Sequence, residues 1–523
     1  MNEHEWNAMN DKDFDALLAN SVSELPPDDI TRGVKPWKKA MSRLLWGLAL
    51  NAITLEFFYL NYILPTIGMV LLLLGFRTLR RENGWFATCF GITVLRALYF
   101  FPMLVLDTTI FKNDIVPPST QSVLLAANVV LLLIQLFCFW RGLCAVKQKV
   151  GLPPTAGAAF ALIVWYALVC ILLLANFNGS IVAVIMLVAY FCIIVSLCKL
   201  SWTLDEAGYS VKPAAVKVTD LAVVLTLAAL LIIGGTAGYI FGSSYDMNWH
   251  TEETAVTDKT QEIKAHLVEL GFPEYVLNDL TEDDIAACEG ALQVISETHD
   301  EPVNDGSVRQ TTYNNAGEIN IYEETVYDVN ELRVTGVAVQ VPAEDDSDGG
   351  ERWLIFHHFL WTQNPGFPGT ESIQLWPAYQ QEPDCVYYDG DVTGRVLYDK
   401  GGVTYTAPYY WLGDQTYISA GFFDFGEPKT EPFAAFSLPS DGEKCRGYVV
   451  YPVQAVPDDF GFNMDSYALY THQKTWWQYP AQSAMQSRIA GASLNEPAFK
   501  TVTDSLLFSY STEAGIITYD DYD

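Results

Sequence analysis

Seven long apolar stretches fill the chain between Leu44 and Gly242, and none follows. A helix needs about 20 apolar residues to cross a hydrocarbon core of about 30 Å. In lipid only helices and closed barrels satisfy every backbone N–H and C=O. The pattern therefore predicts a membrane domain over 44–242 with helices at 44–62, 65–80, 86–106, 121–140, 157–177, 180–198 and 220–242. The first pair needs a break. Leu44–Phe76 holds one charge, Glu56, and a single helix of that length would run about 50 Å. Pro65, after Asn61-Tyr62, is the expected breakpoint of a helical hairpin. A single span there would instead invert every later loop.

Charge divides the chain at the same boundary. The net charge is -32. Residues 243–523 carry 47 Asp+Glu and 13 Lys+Arg, whereas 32–242 carry 7 and 16. So acidic a distal part would be repelled by nucleic acid and by an anionic membrane surface. Fourteen loop cations fall on one side of the expected spans: Arg32, Lys35, Lys38, Lys39, Arg43, Arg77, Arg80, Arg81, Arg141, Lys147, Lys149, Lys199, Lys212 and Lys217. Lys112 stands alone on the other. The positive-inside rule then predicts a cytosolic amino terminus and an extracytoplasmic 243–523 in the plasma membrane. Residues 1–43 read as an acidic cytosolic lead-in with a basic juxtamembrane end. Its first 31 residues are the reverse of a basic signal-peptide n-region, so the first span is expected to be an uncleaved anchor. The apolar side of 11–19 makes residues 1–31 a candidate docking segment for a cytosolic protein.

Two ionisable side chains, Glu56 and Arg96, fall near the middle of expected spans. A lone charge there costs several kcal/mol, so they are expected to pair, as a staple between helices or as part of a proton or substrate path. No internal repeat of the kind transporters carry is visible.

Beyond the membrane, 243–295 reads as a helical module. Gly271 and Pro273 punctuate it, and Thr281-Glu282-Asp283-Asp284 resembles a capping box. It would serve as a spacer or as a packing base. Residues 296–523 read as β-rich from about 330: Leu332–Val341, Trp353–Trp361, Val403–Ala407, Tyr417–Phe425, Tyr448–Val453 and Ser466–Thr471, with a helix near 480–491. Turn residues every 8–15 positions suggest antiparallel sheets. The fold class expected is a multi-pass α-helical bundle plus an extracytoplasmic α+β domain, mostly antiparallel and sandwich-like.

Candidate chemistry is sparse. Asp389-Gly390-Asp391-Val392-Thr393-Gly394 places Asp389, Asp391 and Thr393 as a cation loop, although Lys400 stands where a calcium loop needs Glu. The same residues could form a phosphotransfer site, or simply a hairpin. Glu344–Asp348 is a second acidic loop. His357 and His358, adjacent on a predicted strand, point to opposite faces and cannot share a metal, so one is expected to be buried and one exposed. Tyr410, Trp411, Trp476 and Trp477 are candidate ligand-stacking aromatics, with core packing as the plainer reading. Six of nine cysteines lie in or beside the spans; Cys385 and Cys445 are the candidate disulfide. No nucleotide, metalloprotease or serine-hydrolase motif occurs, and no cofactor or metal is expected.

Leu25-Pro26-Pro27-Asp28-Asp29-Ile30, Lys35-Pro36-Trp37-Lys38-Lys39-Ala40-Met41 and Gly75-Phe76-Arg77-Thr78-Leu79-Arg80-Arg81-Glu82-Asn83 resemble uncharacterised multi-pass membrane proteins of Gram-positive, clostridial-type bacteria. The resemblance implies a bacterial plasma-membrane location and no assigned activity. Together these readings favour a membrane-anchored binding or sensing domain for an envelope glycan, peptide or protein. The alternatives are an envelope hydrolase using Asp389/Asp391 and a transporter using Glu56/Arg96.

Overall fold

The computed structural model describes residues 36–52, 57–175, 179–207, 209, 218–252, 257–304, 306–315, 318–326, 329–342, 351–376, 386–388, 391–421, 424–455, 461–491, 497–511 and 515–518. The chain forms two compact units. One comprises residues up to 106 together with 112–235, and the other 107–111 together with 236–523.

The first unit is a helical bundle. Its helices are α1 (Pro36–Ala52), α2 (Leu60–Leu79), α3 (Gly84–Leu106), α4 (Lys112–Ile115), α5 (Pro118–Lys149), α6 (Gly157–Leu174), α7 (Ser180–Glu206) and α8 (Asp220–Gly242), the last continuing into the second unit. Six of these, α2, α3, α5, α6, α7 and α8, are long and apolar enough to cross a membrane. The protein is an integral, multi-pass membrane protein. Its lipid-facing surface is plain in α6 to α8, where Leu174, Ile181, Phe191 and Leu221 stand exposed and need a hydrocarbon solvent.

The break of the first hairpin lies earlier than the sequence suggests. Pro65 sits inside α2, where it removes one backbone bond, to the Asn61 carbonyl. The chain turns instead at Phe57–Tyr59, with Phe58 and Tyr59 at φ 51° and 58°. Helix α1 begins at Pro36 rather than 44 and has 17 residues, a length of about 25 Å. It packs closely on α2 because Gly47 and Gly68 oppose each other. A Cβ on either would lie 2.9 Å from the other's carbonyl oxygen. Trp37, Leu44, Phe76, Phe86, Phe139 and Leu143 fill the bundle core.

The second unit is a β domain with helices. An eight-stranded sheet takes the order β1-β10-β9-β13-β6-β5-β2, with β8 also on β13. Its strands are β1 (His250–Thr251), β2 (Gln293–Glu301), β5 (Leu332–Val341), β6 (Glu351–Trp361), β8 (Val386–Tyr388), β9 (Thr393–Lys400), β10 (Val403–Ala407) and β13 (Glu443–Ala455). A six-stranded sheet runs β11-β12-β7-β14-β15-β16, from β7 (Thr370–Trp376), β11 (Trp411–Gly421), β12 (Asp424–Ser437), β14 (Gly461–Gln473), β15 (Phe499–Ser511) and β16 (Gly515–Thr518). Strands β3 (Ser307–Asn315) and β4 (Glu318–Val326) form a separate hairpin. All pairings are antiparallel. Strand Tyr417–Phe425, expected as one, is instead divided between the end of β11 and the start of β12.

Trp353, Ile355 and Phe359 from the first sheet meet Phe436, Met464, Val502 and Phe508 from the second, forming a sandwich core. The opposite face of the first sheet is covered too. Val337, Val339, Phe356 and Val450 pack against Leu267, Phe272, Val276 and Ile285 of the helical module: α9 (Asp258–Glu269), α10 (Glu274–Leu277) and α11 (Glu282–Ala287). The module is thus a packing base, and the layers run helices, sheet, sheet. Burial on both faces explains why β5 and β6 read as near-continuous apolar runs. It also corrects the expectation for His357 and His358: both are buried, because neither face of β6 is wet.

Candidate functional site

His357 faces the inter-sheet core. Its Nδ1 lies 2.7 Å from Asp504 Oδ2 and its Nε2 2.8 Å from Ser466 Oγ. Tyr451 hydrogen-bonds the same Ser466 hydroxyl. The set has the composition of a serine nucleophile relay. Ser466, however, is fully buried in the sandwich core, and Tyr451 already occupies its hydroxyl. The cluster ties β6, β14 and β15 together across the two sheets.

His358 faces the helical module, where Nε2 lies 2.9 Å from Asp279 Oδ2. Arg446 Nε donates to Asp279 Oδ1 at 2.8 Å, and its Nη1 donates to Asp399 at 3.0 Å. Arg395 donates to the Asp279 carbonyl at 2.8 Å and to Glu252 at 2.6 Å. Burial pushes the Asp279 carboxyl upward, but the hydrogen bonds and charges of His358 and Arg446 outweigh it and hold it below the usual range. This network clamps the module to the sheet.

The expected cation loop divides. Asp389 and Gly390 lie outside the described residues, as does the acidic loop 344–348. Asp391 is exposed. Thr393 donates to Asp284 Oδ1 at 2.8 Å, so it fastens α11 rather than facing a cation. Gly394 belongs to β9, with φ 149°, and a Cβ there would lie 2.1 Å from the Tyr448 carbonyl oxygen. The glycine serves the approach of β9 to β13. Among the described residues no group of three or more His, Cys, Asp or Glu is placed to hold a metal. Cys445 is a free, buried thiol, pushed up to about 12 by burial and by nearby Glu371. Its candidate partner Cys385 lies outside the described residues.

In the bundle, Glu56 lies outside the described residues. Arg96 is buried and takes neutral partners: Nε donates to Asn128 Oδ1 at 2.9 Å, and Nη1 to Gln135 Oε1 at 2.8 Å. Gln135 Nε2 in turn donates to Thr93 at 2.9 Å. These bonds staple α3 to α5.

One arrangement with room for a ligand lies at an edge of the sandwich. A cleft of about 420 Å³ opens between the 363–367 loop, Asn304, Glu331 and the end of β14. Trp361, Phe367, His472 and Lys474 line it. His472 stands opposite Glu371 in the β14–β7 register, its Nδ1 2.7 Å from Glu371 Oε1. Trp361 packs against the imidazole edge-on at 4.9 Å, and its indole N–H donates to Tyr470 at 3.0 Å. Complete burial lifts the Glu371 carboxyl above its usual range, with His472 opposing the rise. Gln473 holds the neighbouring turn by accepting from the Thr370 N–H at 3.0 Å and hydroxyl at 2.9 Å. The result is an oriented imidazole, itself nearly buried, at the edge of a wall that mixes the partly exposed Phe367 ring, amides, one cation and one carboxylate. Sequence reasoning missed this site. Glu371 and His472 lie a hundred residues apart, and only the pairing of β7 with β14 joins them.

The four candidate aromatics lie outside this cleft, as exposed side chains. Tyr410, Trp411, Trp476 and Trp477 keep 47%, 43%, 56% and 61% of their surface accessible. Tyr410 stacks on Tyr245 at 4.4 Å, and Trp476 meets Tyr239 of α8 edge-on at 6.2 Å.

No family model matches the chain. Neither does any curated protein. The functional reading therefore rests on these residues and their geometry.

Proposed function

We propose that this is a bacterial plasma-membrane protein with a cytosolic amino terminus, whose β domain stands outside the cytoplasm and binds an envelope glycan unit in the cleft beside His472. The cleft carries the reading. Its ring at Phe367 offers a partly exposed apolar face, and its exposed amides at Gln363 and Asn364 offer the paired donors and acceptors that sugar hydroxyls require. The fourteen-to-one distribution of loop cations supports the orientation. The resemblance noted above supports the bacterial setting.

The test uses full-length protein in lipid nanodiscs, titrated with neutral cell-wall oligosaccharides and, in parallel, with short peptides. Saturable oligosaccharide binding that weakens roughly tenfold in Asn364→Ala or Phe367→Ala supports the reading, since one lost polar or stacking contact is worth about 1.4 kcal/mol. Binding of peptides alone would move the ligand class. Binding of neither would remove the proposal.

One observation favours a second reading. Glu371 orients His472, a geometry suited to general base chemistry. If the bound oligosaccharide is cleaved, and His472→Gln abolishes cleavage while binding persists, the domain is an envelope hydrolase that works from this cleft.

A further inference from the structure

The aromatic edge of the β domain sits at the end of a spanning helix. Helix α8 has 23 residues, a length of about 35 Å, so its last turn reaches the boundary of a hydrocarbon core of about 30 Å. Tyr239 lies in that turn. Its hydroxyl donates to the Gln478 carbonyl, and its ring meets Trp476, which in turn meets Trp477 at 5.4 Å. Three residues past the helix, Tyr245 stacks on Tyr410. Phe111, five residues beyond the end of α3, touches both rings at 6.2 and 6.3 Å.

Backbone bonds fix this level. Ile110 N–H donates to the Gly242 carbonyl at 2.8 Å, Ala481 N–H to the Asp107 carbonyl at 2.7 Å, and Gln486 Nε2 to the Ile110 carbonyl at 2.7 Å. The 476–486 segment that carries Trp476 and Trp477 is therefore held beside residues 107–111 and the end of α8.

We infer that Tyr410, Trp411, Trp476 and Trp477 form an interfacial anchor that seats the β domain in the headgroup layer of the membrane. Tyr and Trp rings favour that layer because an apolar body and a polar tip match its two sides. Charge cannot supply the attachment: residues 243–523 hold 47 acids against 13 bases, which anionic headgroups repel. The four anchoring side chains are uncharged. The surface is continuous with the lipid-facing end of α8, where Ile240 and Phe241 are exposed. That continuity identifies the occupant as lipid rather than a soluble ligand. The inference stands independently of the cleft.

Photo-crosslinking of the full chain in phosphatidylcholine nanodiscs tests it. Trp411→p-benzoylphenylalanine and Trp477→p-benzoylphenylalanine each replace an exposed ring. Phe241 carries the same probe as the lipid-facing reference, and Val308, exposed on β3, as the aqueous one. The anchor gives lipid adducts at 411 and 477 within about twofold of 241 and about tenfold above 308. It gives the same yields when phosphatidylglycerol replaces part of the phosphatidylcholine. Yields at 411 and 477 no greater than at 308 would overturn the inference. So would adducts that form only with the anionic lipid.

Discussion

The indole of Trp476 meets the ring of Tyr239 edge-on at 6.2 Å, joining the β14–α12 connection (α12 is Ala484–Ile489) to the last turn of a membrane helix. The Tyr239 hydroxyl adds a bond to the neighbouring Gln478 carbonyl. Within the second unit, the end of α8 is thus held to the 476–478 segment by side chains as well as by chain continuity. Tyr239→Ala removes an aromatic pair and a hydrogen bond, a loss of about 2 kcal/mol. Hydrogen exchange should rise in 476–486 while protection in β5 and β6 is unchanged. Unaltered exchange in 476–486 would show that the contact holds nothing.

Gly394 offers a sharper test of the β domain. Its φ of 149° and the 2.1 Å approach of a would-be Cβ to the Tyr448 carbonyl leave no room for a side chain against rigid backbone. Gly394→Ala should cost about 3 kcal/mol, from strain and displaced pairing. Chemical denaturation of the full-length protein reads the loss directly. A cation-loop role would instead predict a loss only when calcium is present.

The buried Ser466–His357–Asp504 set should behave as a structural element. Asp504→Ala leaves His357 without its carboxylate in the core and should destabilise the domain by about 3 kcal/mol. Oligosaccharide affinity in the cleft should stay within twofold of wild type, measured below the shifted melting temperature. A large change in affinity with unchanged stability would mean that the set belongs to the ligand site.

The Asp279 clamp carries a pH signature. Its carboxyl is held low in the folded state, so its contribution is fully present above the unfolded value of about 3.9 and is lost as pH falls through the lower folded value. The melting-temperature gap between wild type and Asp279→Asn should stay constant from pH 7 to pH 5, then close only below about pH 4. A gap already closing at pH 6 would mean that the carboxyl is not held low.

How much of this was legible beforehand follows from where the information sits. The spans at 86–106 and 220–242 coincide with α3 and α8 within two residues, because lipid demands long apolar runs that local composition displays. Strands Leu332–Val341 and Val403–Ala407 were readable to the residue from apolar patterning between turn residues. Pro65 misled, since a helix within a bundle tolerates one missing N–H. The 389–394 motif misled for another reason: Gly394 answers to a strand 55 residues away, and Thr393 answers to a helix cap more than a hundred residues upstream. The cleft was invisible for the same reason, because Glu371 and His472 meet only through β-strand register.

The proposed function requires that the β domain and its cleft face the outside of the cell. Protease treatment of intact cells carrying an amino-terminal and a carboxyl-terminal epitope measures it most directly. The carboxyl-terminal epitope should be lost at once, and the amino-terminal one only after the membrane is permeabilised. The reverse order, with the amino-terminal epitope lost from intact cells and the carboxyl-terminal one protected, would contradict it.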